Sequence, residues 1–243
     1  MSELARSFER AAEAYERGRP GYAEEALDAL DLPADAAVLD LAAGTGKLTR
    51  QLVARFARVI AVEPLGGMRA VLERVVPEAE ALNGTADAIP LLDDSVDAVF
   101  VGEAFHWFAN AEVLREIARV LRPRGVLAIL FNQSDGDFEP KLPAAFWDTY
   151  HELAIEKPPE QTVKTGLWRA PFPGPFEPLT ETSYPNPVEL DREGILAQAA
   201  SWSMIAALPE RERTQLLGRL SELVPDGLYR HPLRTNLSWT RLG

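Results

Sequence analysis

The chain of 243 residues contains no cysteine, only three histidines and three methionines, and 25 lysines and arginines against 37 aspartates and glutamates. Without cysteine there are no disulfides, no thiolate metal sites and no cysteine nucleophile. The shortage of positive charge leaves a formal net charge of -12, a field that repels phosphate backbones. The basic residues are scattered, with Arg17 and Arg19 the nearest approach to a cluster, so no nucleic acid is expected as a partner. No apolar run approaches the ~20 residues that span a bilayer. The opening Met1-Ser2-Glu3-Leu4-Ala5-Arg6 lacks the apolar core of a secretory signal. The expectation is a cytoplasmic protein with no membrane partner. His151 and His231 stand in no ligand pattern, so no metal is expected.

What is present is ordinary globular material, 47% hydrophobic and 26% charged, at a length that one α/β domain fills. Leu4, Phe8, Ala11, Ala12 and Tyr15 recur at helical spacing over 3–16, and Gly18 and Pro20 end that helix. A short helix follows over 23–30. Strands then alternate with helices: strands at 36–41, 59–62, 79–83, 96–101 and 126–131, helices at 47–57, 65–76 and 111–121. Strands apolar on both faces, alternating with helices, imply a parallel sheet covered on both sides. Pro123-Arg124-Gly125 is the turn that launches the fifth strand. Beyond Asn132 the spacing predicts helices over 139–156, 191–201 and 209–223 and a proline-rich, aromatic stretch over 158–187. Leu233, Thr235, Leu237 and Trp239 alternate along a last strand over 233–241, expected to pair antiparallel with 176–184. The fold class expected is α/β, a doubly wound, seven-stranded, mostly parallel sheet with an antiparallel C-terminal edge.

Between the first strand and its helix lies Asp40-Leu41-Ala42-Ala43-Gly44-Thr45-Gly46, at the carboxyl end of a parallel strand, where such sheets bind ligands. A phosphate-cradling P-loop needs glycine at 41 and Ser or Thr after Lys47, and the chain has Leu41 and Leu48. A dinucleotide fingerprint from Gly44 needs Gly or Ala at 49, and the chain has Thr49. Glu63 ends the second strand, 19 positions beyond Gly44 (63 − 44). An acidic residue at about 20 positions accepts from ribose hydroxyls, and by itself serves NAD equally well. After the third strand comes Gly84-Thr85-Ala86-Asp87-Ala88-Ile89-Pro90. The fourth strand ends in Gly102-Glu103-Ala104-Phe105-His106-Trp107-Phe108.

The acidic-x-small-x-Gly-x-Gly pattern from Asp40 resembles the first motif of the class I methyltransferases that use S-adenosylmethionine (SAM). The segments 84–90, 91–99 and 114–125 match the same family in order. The resemblance implies a Rossmann-like methyltransferase fold and SAM as cofactor. It implies cofactor contacts at Asp40, Ala42, Gly44, Thr45 and Gly46, ribose contacts at Glu63, and an adenine site at Asp87 and the Ala88 amide. Ala42 stands where the family carries glycine. Pro64 and Met68 fall where the family packs adenine, although plain core packing serves Met68 as well. Glu103 is either beside the methionyl ammonium or a helix-terminal charge. The Phe105-His106-Trp107-Phe108 run, Tyr15–Tyr22 and Ser201-Trp202-Ser203 are similar to the small-molecule branch that includes trans-aconitate-type carboxyl O-methyltransferases. In that branch the N-terminal segment closes over the cofactor. Tyr15 and Arg19 would then face it, with Gly18 and Gly21 as hinges, and Arg19 would grip a carboxylate, either the donor's own or a substrate's, or else stand as a solvated charge at a helix end. Trp107 and Phe108 would wall the acceptor or the adenine, and Trp168 with Arg169 would line the acceptor site. His106 is either the general base for a hydroxyl acceptor or part of the pocket wall.

On this reading residues 1–243 form one methyltransferase domain: a helical lid over 1–35, a SAM-binding core over 36–131, and a substrate-side and edge-strand region over 132–243. The reaction expected is methyl transfer to a small molecule, at a carboxylate or hydroxyl oxygen. The rivals are a quinone-type carbon methyltransferase, a non-catalytic SAM-binding module and a nicotinamide-dependent oxidoreductase.

Overall fold

Short runs of Val, Ile, Leu and Ala that are apolar on both faces become the centre of a sheet, because only there are both faces covered. The computed structural model describes residues 11–134, 142–153 and 163–243. Its strands are β1 (Ala37–Leu41), β2 (Arg58–Val62), β3 (Glu80–Leu82), β4 (Val96–Gly102), β5 (Leu121–Ser134), β6 (Thr180–Asp191) and β7 (Leu228–Arg241). They form one seven-stranded sheet in the order β3-β2-β1-β4-β5-β7-β6. The first five are parallel to one another, and β7 runs antiparallel between β5 and β6. This is the expected Rossmann-like methyltransferase sheet with its antiparallel edge.

The helices, in chain order, are α1 (Ala12–Gly18), α2 (Glu24–Asp28), α3 (Lys47–Val53), α4 (Gly66–Val75), α5 (Ala111–Val120), α6 (Ala144–Leu153), α7 (Arg192–Ala200), α8 (Ser203–Ala206) and α9 (Glu210–Leu223). Alternate residues of each strand feed opposite cores. Val38, Val59, Phe100 and Leu130 meet Leu27, Leu48 and Leu52 on one face. Leu39, Ile60, Val99 and Ile129 meet Val113, Leu114 and Ile117 of α5 on the other. Each such side chain contributes about 1.5–3 kcal/mol when fully buried. A third cluster, with Phe146, Tyr150, Ile195, Ala199, Leu216 and Leu220, joins α6, α7 and α9. Local signals fix the helix starts: the Asn110 side chain accepts from the amides of Glu112 and Val113 at 2.8 and 2.9 Å, and Asp191 accepts from Gly194 at 2.7 Å.

Some boundaries differ from the sequence expectation. The Pro123–Gly125 turn lies inside β5: the register against β4 jumps from Val96↔Leu121 to Ala98↔Val126, so the turn is an irregularity in the strand. The outer strand is Thr180–Asp191 rather than 176–184, and Phe176 makes only an isolated bridge to Leu242. Pro185 and Pro187 lie within β6, which holds them because it is the edge strand. Of the helix expected over 3–16, residues 3–10 lie outside the described residues. So do the ends of the helix expected over 139–156.

The N-terminal segment is fastened to the sheet and to α7. The Asn132 and Asn186 amides both donate to the Gly21 carbonyl at 2.9 Å, and the Ala23 amide donates to the buried Thr235 hydroxyl at 2.9 Å. Gly18 is a packing glycine. A Cβ there would sit 2.1 Å from the Gln198 backbone nitrogen, so α1 and α7 approach as closely as two backbones can. Gly18 therefore does not act as the free hinge that the sequence suggested.

Candidate functional site: two adjoining cavities

The order β2-β1-β4 places the chain's reversal of winding at β1 and β4, where the carboxyl ends of parallel strands open a crevice. The loop leaving β1 turns on left-handed residues: Ala42 (φ +58°), Gly44 (φ +59°) and Gly46 (φ +88°). Ala42 occupies that region at a cost of roughly 1–2 kcal/mol, which explains why glycine suits the position. Leaving β4, Glu103 is also left-handed at φ +57°. Both of these non-glycine residues line one cavity of about 350 Å³, and backbone strain of this kind concentrates at functional sites.

Glu63 ties the floor of that cavity together. Its carboxylate accepts from the Gly44 amide and the Leu65 amide, each at 2.8 Å, so the motif loop and the end of β2 are held in one frame. Tyr15, Ala42, Gly44, Glu63, Pro64, Met68, Asp87, Glu103, Trp107 and Phe108, all expected at the site, form its wall. Leu65, Thr85, Gly102 and Asn110 join them. They carried no separate signal beyond their place in the same turns. Asp87 is ionised, its carboxyl held low by the Thr85 hydroxyl. Three carboxylates, Glu63, Asp87 and Glu103, face this cavity, and no lysine or arginine among the described residues does.

Other expected residues stand back from the wall. Asp40 is 1% exposed and accepts from the Thr49 hydroxyl at 2.6 Å. Burial pushes its carboxyl up to about 7, against the Thr49 hydrogen bond, which lowers it. Thr45 is buried and Gly46 caps α3, so they shape the loop from beneath. Ala88 lies one residue beyond the wall, its amide donating to the Thr85 carbonyl at 3.1 Å.

The structure does not bring His106 to this cavity. Phe105–Trp107 is a single turn of 3₁₀ helix, whose three residues point in three directions. Trp107 takes the cavity and Phe105 the core. His106, 8% exposed, lies 4.8 Å from the Trp107 ring and 5.7 Å from Phe131, one ring behind the wall. Trp168 is likewise 3% exposed, edge-on to Phe105 at 6.0 Å and 5.5 Å from Phe131. It borders another cavity of about 480 Å³, beside Phe131, Gln133 and Arg169, not the crevice.

A second cavity of about 470 Å³ adjoins the first, and Tyr15 and Glu103 line both. Arg19, expected at the cofactor, opens here instead. Its Nε donates to the Ser201 hydroxyl at 2.8 Å, which fixes the guanidinium 5.3 Å from the Tyr15 ring. Burial pushes the Tyr15 hydroxyl up to about 12, with Arg19 opposing, so the phenol stays neutral. The rest of the wall comes from Trp147, Tyr150, Trp202, Met204, Ser134 and His231, among others. Of these only Trp202 lay in a stretch that the sequence marked. No cluster of metal-ligating side chains occurs among the described residues, and no helix among them is long and apolar enough to cross a membrane.

A methyltransferase-domain family model matches residues 39–129. An uncharacterized methyltransferase of Schizosaccharomyces pombe is 32% identical over 231 residues, covering 91% of this chain and 88% of the relative. An uncharacterized methyltransferase of Mycobacterium tuberculosis is 53% identical over 134 residues, so that match spans only 55% of either chain. Among solved structures, a candidate type II methyltransferase from Anaeromyxobacter dehalogenans is similar at a TM-score of 0.60 and 25% identity, over 92% of this chain and 96% of that one. Taken with the sheet order and the strained turn after β1, these likenesses mean that the chain belongs to the class I SAM-dependent methyltransferases.

Proposed function

We propose that this chain binds SAM in the first cavity and transfers its methyl group to an oxygen of a small molecule held in the second. The observation that carries the reading is the pair of adjoining cavities that share Tyr15 and Glu103. The chemistry of the first cavity fits the cofactor. SAM bears a sulfonium and an ammonium, an adenine amino group and two ribose hydroxyls, and the wall offers three carboxylates and apolar surface to receive them. Glu63 would accept the ribose hydroxyls, Asp87 would meet the adenine edge, Met68 and Pro64 would pack its face, and Glu103 would face the ammonium, while Ala88, its amide spent on the Thr85 carbonyl, holds the turn that presents Asp87. Asp40, Thr45 and Gly46 hold the loop that presents Ala42 and Gly44.

When bound, SAM supplies a methyl group already electrophilic enough for direct displacement. The chain's own work is therefore alignment and exclusion of water. Trp107 and Phe108 close one side, and His106 braces Trp107 from behind. Arg19 and Tyr15 close the other. No nucleic-acid or membrane partner is needed, since the acceptor is small. In this scheme residues 1–35 form the cover, 36–131 the cofactor core and 132–243 the acceptor side.

The test is calorimetric titration with S-adenosylhomocysteine, beside Asp40→Ala and Glu63→Ala. Micromolar binding by the native chain, weakened at least tenfold (about 1.4 kcal/mol) by Glu63→Ala, is the expected result. Absence of binding by the native chain would end the methyltransferase reading.

A further inference from the structure

The second cavity is cationic in a strongly acidic protein. Arg19, Lys47 and Lys164 line it, against Glu103 alone, while the whole chain carries a net charge of -12. Concentrating one sign of charge against the molecule's own field marks a cleft for the opposite sign. Lys47 is engaged with Glu16 at 3.5 Å, and Glu103 accepts from the Asn132 amide at 2.5 Å. Arg19 differs: among the described residues its guanidinium hydrogen-bonds only Ser201, through Nε at 2.8 Å and Nη2 at 3.3 Å. Among the described residues no carboxylate lies within ion-pair distance of it. A half-buried guanidinium fixed by a neutral partner, with donors left over, is set to receive an anion.

A second donor stands in the same wall. His231 Nε2 and Ser134 Oγ lie 3.0 Å apart, on the adjacent strands β7 and β5. His231 is 9% exposed, and burial, with Arg19 adding to it, holds the imidazole below its ordinary range and so neutral. Its Nδ1 is buried without a hydrogen-bond partner among the described residues. A buried N–H left unpaired is rarer and costlier than an unpaired acceptor. That assigns the proton to Nε2, which donates to Ser134 and leaves the Ser134 hydroxyl free to donate into the cavity. Trp147 and Trp202, 6.0 Å apart and nearly parallel, and Tyr150, 5.0 Å from Trp202, give the rest of the cavity an aromatic wall.

We propose that the acceptor is an organic acid with an apolar or aromatic body, recognised through its oxyanion by Arg19 and Ser134. His231 is the positioning residue that aims Ser134. The inference rests on the two-cavity reading above and names the acceptor class for it.

The test titrates the full chain, saturated with S-adenosylhomocysteine, with matched probes: 3-phenylpropanoate, 3-phenylpropanamide, and the pair hexanoate and hexanamide. Each acid is expected to bind at least ~10-fold tighter than its amide, the aromatic acid tighter than the aliphatic one. Arg19→Gln removes the acid preference and Arg19→Lys keeps part of it. Ser134→Ala weakens the acids several-fold. His231→Ala does the same and adds nothing on top of Ser134→Ala, whereas His231→Gln, which retains an N–H donor, restores the preference. Amides that bind as tightly as acids, acids that fail to bind, or a preference that survives Arg19→Gln would each overturn the proposal. S-adenosylhomocysteine affinity, measured in the Ser134 and His231 variants, stays within about twofold of native. Its loss in the native chain would instead indict the cofactor reading.

Discussion

The two cavities share a wall and differ in almost everything else. The first is acidic and built from turns that follow consecutive strands, β1 to β4, within residues 41–113, with Tyr15 as its one outlier. The second is basic and aromatic, and is assembled from segments as distant as Arg19 and Ser201, or Ser134 and His231. A cationic donor and an anionic acceptor would thus each meet the opposite charge on their own side of Tyr15 and Glu103. The division also separates what holds the site. Sheet turns hold the first cavity, and the docking of helices α1, α6 and α7 holds the second.

That difference can be broken most severely at Gly18. Gly18→Ala forces a methyl group into the Gln198 backbone, costing about 2–3 kcal/mol and lowering Tm by roughly 4–12 °C. Acid-probe binding is expected to fall with it, while Glu63, Asp87 and Trp107 keep the first cavity serviceable for S-adenosylhomocysteine. Parallel melting curves and titrations check both halves. Next in size is Tyr15→Ala, which removes the shared wall. Both affinities should drop by about tenfold, or ~1.4 kcal/mol each, and a drop in only one would mean that the cavities do not communicate there.

The pH response should separate the two regions by sign. Asp40 titrates near 7 in the folded chain and near 3.9 unfolded, so the native state holds a proton that the unfolded chain lacks. Its stabilisation is lost as pH rises through 7, on the order of 1 kcal/mol between pH 6 and 8. His231 has its folded value depressed, so its stabilisation is present above the unfolded value of about 6.5 and lost as pH falls below it. Thermal melts from pH 5 to 8 should show Asp40→Asn flattening the alkaline limb and His231→Gln the limb below about pH 6.5. The smallest change expected is Ala42→Gly. Release of the left-handed strain, offset by glycine's extra chain entropy, leaves a gain of about 0.5 kcal/mol and a Tm rise of roughly 1–2 °C.

Legibility in the sequence follows the same division. The motif loop, Glu63, Asp87 and Glu103 were readable because each sits in the turn just after a strand, and strand ends in a parallel sheet converge whatever lies between them. His106 was misplaced for a local reason: three consecutive residues in a 3₁₀ turn cannot share a face, and Trp107 holds the cavity side. Arg19 was left between the donor's carboxylate and a substrate's because its distance from Ser201 along the chain hid the contact that turns it to the neighbouring cavity. His231 and Ser134 gave no pattern at all. They meet only because β7 pairs antiparallel with β5, and that pairing brings together residues 97 apart in the chain.

The two edges of the sheet carry a consequence for how the molecule meets its own kind. One edge is β3, three residues long. The other is β6, whose ladder lacks the N–H donors of Pro185 and Pro187. A second chain adding a strand would find too few donors at either side, so growth of the sheet into fibres or strand-paired dimers is discouraged at both borders. Crowding these acidic chains together therefore offers their sheets no ready border at which to zip.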